Sequence, residues 1–72
     1  GNGNGMGFGI ARMTNRQAQV MRLVSDGKTY KQVGDALGIS PKTVLGHVEG
    51  ACRRMGVVNR TQAIVLYARS TQ

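Results

Sequence analysis

Signals for starting and ending a helix follow one another at short intervals along this chain. Residues 14–17, "TNRQ", have the spacing of a capping box, in which the first and fourth side chains each satisfy a free backbone N–H. Ser40 followed by Pro41 is typical of a helix start, because serine caps well and proline lacks an N–H that would have no partner there. Residues 59–62, "NRTQ", repeat the first pattern. The chain is therefore expected to fold into several short helices.

Apolar side chains between these signals recur at helical spacing. Val20, Met21 and Val24 share one face of the first segment, and Thr29 is the candidate N-cap of the second. The predicted helices cover residues 14–26, 30–37, 41–55 and from about 59 onward. The glycines expected to end them are Gly27, Gly38 and Gly56. The sequence shows no strand pattern, so we predict an all-α fold of four helices joined by short turns.

The balance of charge is the strongest compositional signal. Ten Lys and Arg against three Asp and Glu give a net charge of +7 in 72 residues. This excess predicts a polyanionic partner, with nucleic acid ahead of a membrane surface, although a basic domain without such a partner is the alternative. No apolar run approaches the ~20 residues of a membrane span. The single cysteine excludes an internal disulfide, and we expect a reducing, cytoplasmic setting.

The chain divides into an N-terminal segment and one small domain. Residues 1–9 have glycine at every odd position, a composition that cannot bury enough surface to order itself. We therefore predict that residues 1–13 are a flexible glycine-rich linker or a remnant of cloning. Residues 14–70 form the predicted domain.

The third helix has two glycines in its interior, where each costs about 1 kcal/mol relative to alanine. At ~100° per residue the core face of this helix carries Val44, Val48, Ala51 and Met55. The opposite face carries Lys42, Gly46, Glu49 and Arg53, flanked by Leu45 and Gly50. Both glycines are thus expected to point away from the core and to admit close approach by an outside partner.

A short helix, a glycine-containing turn and a longer helix with a polar outer face form a helix-turn-helix motif, here at about residues 30–49. In that motif the second helix enters the major groove of DNA. The outer face would then allow Lys42, Leu45, Glu49 and Arg53 to reach base edges or flanking phosphates.

The stretch "LVSDGKTYKQVGDALGISPKTVLGHV", followed by "RRMGVVNRTQAI", closely resembles the LuxR/GerE-type helix-turn-helix domain of bacterial transcription regulators. The similarity extends from about residue 14 to residue 68. "GKTY" and "NRTQA" are most similar to the members that respond to acyl-homoserine lactones, which associates the chain with quorum sensing. The resemblance implies a four-helix domain, helix 3 as the recognition helix and a dimer on a roughly palindromic DNA site.

The resemblance also implies roles for individual residues. Lys31 would face a phosphate, and Thr43 with Val44 would anchor the recognition helix. Family members usually read bases from the positions held here by Leu45, Gly46 and Glu49, two of which are commonly basic in relatives. The predicted DNA-binding residues are Lys31, Lys42, Thr43, Leu45, Gly46, Glu49 and Arg53. The resemblance implies that helix 4 contributes to a weak homodimer contact. The apolar stripe of this helix assigns Ile64 and Tyr67 to the core or to that contact, and we favour a shared role.

The alternative function is a protein-binding module on the same scaffold, contacting another regulator or RNA polymerase. An enzyme is not expected, because the sequence shows no catalytic pair, metal-ligand cluster or cofactor motif. His47 is interpreted as a boundary residue that packs against the domain or bonds a phosphate. Cys52 is interpreted as a small half-buried residue, with redox sensing as the lesser alternative. The methionines expected in or near the core are Met13, Met21 and Met55.

Overall fold

The computed structural model describes residues 13–70, which form four α-helices and no strand. The helices are α1 (Asn15–Ser25), α2 (Tyr30–Leu37), α3 (Pro41–Met55) and α4 (Arg60–Ser70). The predicted all-α, four-helix fold is confirmed. The predicted N-terminal linker lies outside the described residues, except for Met13. Among the described helices, none has the length and apolar character needed to cross a membrane.

Reciprocal caps fix where α1 and α2 begin. Thr14 N donates to Gln17 Oε1 at 3.0 Å, and Gln17 N donates to Thr14 Oγ1 at 3.1 Å, so the predicted capping box is present. Thr29 and Gln32 form a second capping box, in which Thr29 N donates to Gln32 Oε1 at 2.9 Å and Gln32 N donates to Thr29 Oγ1 at 3.1 Å. The sequence predicted Thr29 as the N-cap but not the role of Gln32. Each cap of this type stabilises a helix by about 1 kcal/mol.

The start of α4 has only half of the predicted capping box. Gln62 N donates to Asn59 Oδ1 at 2.9 Å, as expected. The Gln62 side chain instead accepts a hydrogen bond from Val58 N at 3.4 Å, one residue beyond Asn59. This hydrogen bond connects Val58, in the turn before α4, to the first turn of the helix.

The turn between α2 and α3 is tight because two glycines allow it. Gly38 has a φ of 73°, the left-handed conformation that glycine adopts without steric cost, and it ends α2. Gly34 is buried, and a Cβ atom there would lie 2.5 Å from the Ile39 carbonyl oxygen. The Gly34 carbonyl accepts a hydrogen bond from Ile39 N at 2.9 Å. The turn therefore packs directly against the backbone of α2, which fixes the position of α3.

A core of small and flexible apolar side chains joins the four helices, and α3 supplies four of its members. The predicted core face of α3 is confirmed, as are Met21 and Met55 in the core and Met13 at its edge. The buried residues are Val20, Met21, Val24, Val33, Val44, Val48, Ala51, Met55, Ala63 and Tyr67.

Gly50 does not point toward solvent, so the prediction for this glycine is wrong. The residue is buried, and a Cβ atom there would lie 2.6 Å from Gln17 Nε2. The first turn of α1 packs beside α3 at this point, and the Gln17 side chain, held by Thr14 N, covers the Gly50 backbone. Gly46 is exposed with no atom within 4 Å of an added Cβ, as predicted. Helical periodicity places a residue by angle, but it does not show where a neighbouring helix crosses.

Candidate nucleic-acid interface

The N-terminal turn of α3 is held by its cap and by one buried anchor. Thr43 N donates to Ser40 Oγ at 3.0 Å, and the hydroxyl groups of Ser40 and Thr43 are hydrogen-bonded at 2.9 Å. Val44, the next residue, is fully buried and packs in the core. This arrangement agrees with the anchoring roles expected for Thr43 and Val44, and it leaves the next side chains facing outward.

The outer surface of α3 is exposed along its length, so the predicted DNA-reading residues of this helix share one accessible face. Leu45 is 40% exposed, which is unusual for a leucine of this small domain. The remaining predicted residues of this face are also exposed: Lys42, Thr43, Gly46, Glu49 and Arg53. A helix with small or polar residues on an open face fits the major groove, which is about 12 Å wide.

Lys31 lies in the first turn of α2, exposed as predicted. Its Nζ is 3.6 Å from Asp35 Oδ2, one turn further along the same helix. Both side chains are largely exposed, so water and salt screen this pair strongly. A phosphate that approaches Lys31 therefore has only the weak ion pair with Asp35 to displace.

An open cleft of about 540 Å³ runs beside the outer face of α3. One wall is the recognition helix, with Leu45, Glu49 and Arg53, and the other includes Tyr30 and Arg60. The cleft thus joins the predicted reading face to the starts of α2 and α4.

Arg60 and Tyr30 are in contact with each other on this second wall, and sequence reasoning assigned neither of them a role. Arg60 Nη1 donates to Tyr30 Oη at 2.9 Å, and the guanidinium carbon lies 5.4 Å from the centre of the tyrosine ring. The hydrogen bond to Tyr30 raises the pKa of Arg60 above its ordinary value. Arg60 belongs to the "NRTQA" motif, and this membership is the sequence feature that could have pointed to a role for it. The pairing itself could not be found, because it joins residues thirty positions apart.

Cys52 lines the same cleft and is half-buried, in agreement with its predicted environment. Burial raises the pKa of the Cys52 thiol, the Glu49 carboxylate raises it further, and Arg53 acts in the opposite direction. The thiol is therefore protonated at neutral pH. Within residues 13–70, no group of three or more His, Cys, Asp or Glu side chains is placed to hold a metal ion. His47 is half-buried on α3, at the boundary position expected for it.

The apolar surface near α4 is composed differently from the sequence expectation. Tyr67 is only 8% exposed and belongs to the core, whereas Ile64 is half-buried. Val65 and Val58 are the exposed apolar side chains, at 47% and 88%, and neither was identified from the sequence. Together with Leu66 they line a shallow groove of about 650 Å³ between α4 and the turn before it, called here the α4 groove.

Comparison with known proteins gives a consistent family match. The model of the family "Bacterial regulatory proteins, luxR family" matches residues 11–67. The transcriptional regulatory protein DegU of Brevibacillus brevis is 43% identical over 53 residues, covering 74% of this chain and 22% of DegU. The transcriptional activator protein CarR of Pectobacterium carotovorum is 43% identical over 54 residues, covering 75% of this chain and 22% of CarR.

The spore germination protein GerE of Bacillus subtilis is much shorter than these two regulators. It is 40% identical over 53 residues, which make up 74% of this chain and 72% of GerE. The chain therefore matches about a fifth of the length of DegU and CarR, but most of GerE.

Proposed function

Because this chain belongs to the LuxR family of bacterial regulatory proteins and folds as a four-helix helix-turn-helix domain, we propose that it binds double-stranded DNA with α3 in the major groove. Its role is that of a bacterial transcription regulator or of the output domain of one. The observation that carries the proposal is the exposed outer face of α3, which the cap at Ser40 and the buried Val44 hold in a fixed orientation.

The proposed contacts divide into phosphate contacts and base contacts. Lys31 in the first turn of α2, and Lys42 and Arg53 on α3, are exposed cations, and we propose that they bind phosphates without regard to sequence. Gly46 has open space around it, so the helix backbone can approach the base edges. Glu49 is the proposed reader of cytosine, because a carboxylate accepts a hydrogen bond from cytosine N4 and meets only acceptors on the guanine edge.

Leu45 and Thr43 complete the proposed face. Leu45 offers an apolar surface suited to the methyl group of thymine. Thr43 keeps its hydroxyl near the start of α3, bonded to that of Ser40, where a phosphate can become an additional acceptor.

We further propose that two copies bind the two halves of a palindromic site, one DNA turn apart. The α4 groove supports this proposal, because its lining includes the exposed apolar side chains of Val58 and Val65. Of the two residues predicted for the dimer contact, half-buried Ile64 and buried Tyr67, neither lines this groove, so the proposed contact is made by Val58 and Val65 instead. A cytoplasmic location, a contact with RNA polymerase and a role in quorum sensing belong to the same proposal, and the last depends on the resemblance of "GKTY" and "NRTQA" alone.

Selection from random duplexes, followed by mobility shifts over a salt series, tests DNA binding directly. Each phosphate contact contributes about −0.9 to the slope of log affinity against log salt. Lys42→Ala is expected to weaken binding to all duplexes alike and to flatten that slope by about one unit. The proposal fails if no duplex, including selected ones, is bound at ~50 mM salt.

The second candidate function, a protein-docking module, is favoured by exposed Leu45 and by the acidic Glu49 on the same exposed face. Glu49→Ala separates the two functions. If α3 reads DNA, this variant loses a preference for cytosine at one position in each half-site, a discrimination of roughly 1–3 kcal/mol. A docking face would leave the DNA preference unchanged and would lose a protein partner instead.

A further inference from the structure

The cleft beside α3 contains a cation that the proposed contacts do not use. We infer that Arg60, oriented by Tyr30, binds a phosphate of the DNA backbone that borders the groove occupied by α3, an inference that rests on the proposed function. Tyr30 acts as a positioning residue, since its hydroxyl group holds the guanidinium and does not itself need to touch DNA.

The Arg60–Tyr30 hydrogen bond differs in kind from the helix caps of this domain. The caps join side chains to backbone groups three or four residues away, whereas Arg60 and Tyr30 are thirty residues apart. The tyrosine side chain packs against the hydrophobic core, so it is a fixed support for the guanidinium. One N–H of Arg60 is used in this bond, and an arginine has five. The side chain is therefore held in place while keeping donors for an outside acceptor.

The position of Arg60 determines which acceptor it can meet. It lines the same cleft as Leu45, Glu49 and Arg53 of the recognition helix. An α-helix with its side chains is about 10–12 Å wide and fills a major groove about 12 Å wide. The space next to a seated recognition helix is therefore occupied by the sugar-phosphate backbone at the edge of the groove. A guanidinium in that space matches phosphate, which it can bind through two parallel N–H groups.

The charges facing this cleft favour an anion only when Arg60 is counted. Glu49 projects into the same space and repels a phosphate, and Arg53 lies one turn beyond it. Arg53 alone would offset Glu49 and leave the cleft without net charge. Arg60 gives the cleft a net positive charge, so a base-reading carboxylate becomes compatible with a nearby backbone phosphate.

Arg60→Gln, compared with Arg22→Gln, tests the inference. Arg22 is an exposed arginine on α1 that lies beside Asp26 and Tyr67, outside the cleft, and its replacement removes the same charge. Affinity for a selected duplex is measured by fluorescence anisotropy from 50 to 200 mM salt, and melting temperature is measured alongside. We expect Arg60→Gln to flatten the salt slope by about 0.9 and Arg22→Gln to leave it unchanged.

Tyr30→Phe and Arg60→Lys separate phosphate binding from a purely structural role. Tyr30→Phe keeps the cation and the ring, so the slope should stay while affinity falls several-fold. Arg60→Lys should likewise keep the slope with weaker binding. Phosphate-ethylation interference should show one backbone position that blocks the wild-type chain and no longer affects Arg60→Gln.

The possible outcomes distinguish this inference from the function on which it rests. If Lys42→Ala flattens the slope and Arg60→Gln only lowers the melting temperature, Arg60 is structural and the inference is overturned, while DNA binding stands. If the wild-type chain binds no duplex, the proposed function itself fails. An unchanged ethylation pattern in Arg60→Gln also overturns the inference, whatever the stability of the variant.

Discussion

Gly46 and Gly50 lie one turn apart on α3 in contrasting surroundings. Gly46 faces open space, and an added Cβ would meet no atom within 4 Å. Gly50 is buried beneath the Gln17 side chain, whose Nε2 would lie 2.6 Å from an added Cβ. The missing side chain at Gly50 leaves room for α1. At Gly46 it leaves open space, which the proposed DNA partner would occupy.

The difference shows what a glycine in a helix signifies. Each one costs the helix about 1 kcal/mol relative to alanine. At Gly50 the close contact with the capped start of α1 offsets that cost within the domain. At Gly46 nothing among the described residues does so, and the proposal of an outside ligand therefore rests on Gly46 rather than on Gly50.

Leucine substitutions should show the largest difference between the two glycines, in the free energy of unfolding. Gly50→Leu is expected to destabilise the domain by about 1–3 kcal/mol, because the side chain displaces Gln17 and separates α1 from α3. Gly46→Leu, the matched control, should be neutral or stabilising by up to about 0.8 kcal/mol through better helix propensity. Urea unfolding measures both. Equal effects of the two variants would contradict the contrast.

Gly46→Arg tests the outward-facing glycine through DNA binding. The added cation should raise affinity for duplexes in general by up to about tenfold, since it gains one phosphate contact. It should also relax the sequence preference, because the backbone can no longer approach the base edges. Mobility shifts on selected and scrambled duplexes provide the measurement. An unchanged preference would show that Gly46 does not face the bases.

A double-mutant cycle between Gln17 and Gly50 measures how far the contact between these two residues contributes to stability. Gln17→Ala should cost about 0.5–1 kcal/mol, since Thr14 N loses its side-chain acceptor while the bond from residue 17 N to Thr14 Oγ1 is kept. The same change should cost less in a Gly50→Ala background, where the new methyl group has already displaced the Gln17 amide. Additive effects, measured by thermal unfolding, would mean that the two residues act independently.

Cys52 reports on the boundary between the covered and open faces of α3. Its raised pKa keeps the thiol protonated, so alkylation at pH 8 should be several-fold slower than for an unhindered cysteine. Glu49→Ala removes one of the two causes of that rise and should speed alkylation modestly. The rate against pH gives the pKa. If the pKa of Cys52 is the same in Glu49→Ala as in the wild type, burial alone raises it.

Local patterns in the sequence were sufficient for most of the fold. The bounds of α2 and α3 and the caps at Thr14 and Ser40 follow from interactions within one turn of helix, which a sequence displays directly. The core face of α3 follows from periodicity for the same reason.

What the sequence could not show are contacts between elements. Gly50 is covered by α1, against the prediction. Tyr67 belongs to the core, one of the two places left open for it, and Tyr30 contacts Arg60, thirty residues away. Periodicity cannot show such contacts, because they depend on how the helices cross. The roles assigned to the exposed residues of α3 stay predictions, since their accessibility is compatible with either a DNA or a protein partner.

The close seating of the turn against Gly34 has a consequence for how such a domain can change over evolutionary time. Because Ile39 and Ser40 pack against bare backbone there, the orientation of α3 is set by buried atoms rather than by its outer side chains. Positions 45, 46 and 49 can then be replaced without moving the helix. In the proposed DNA-binding mode, a lineage carrying this scaffold can acquire a new DNA target through substitutions at these few surface positions, while selection on folding acts on a separate set of residues.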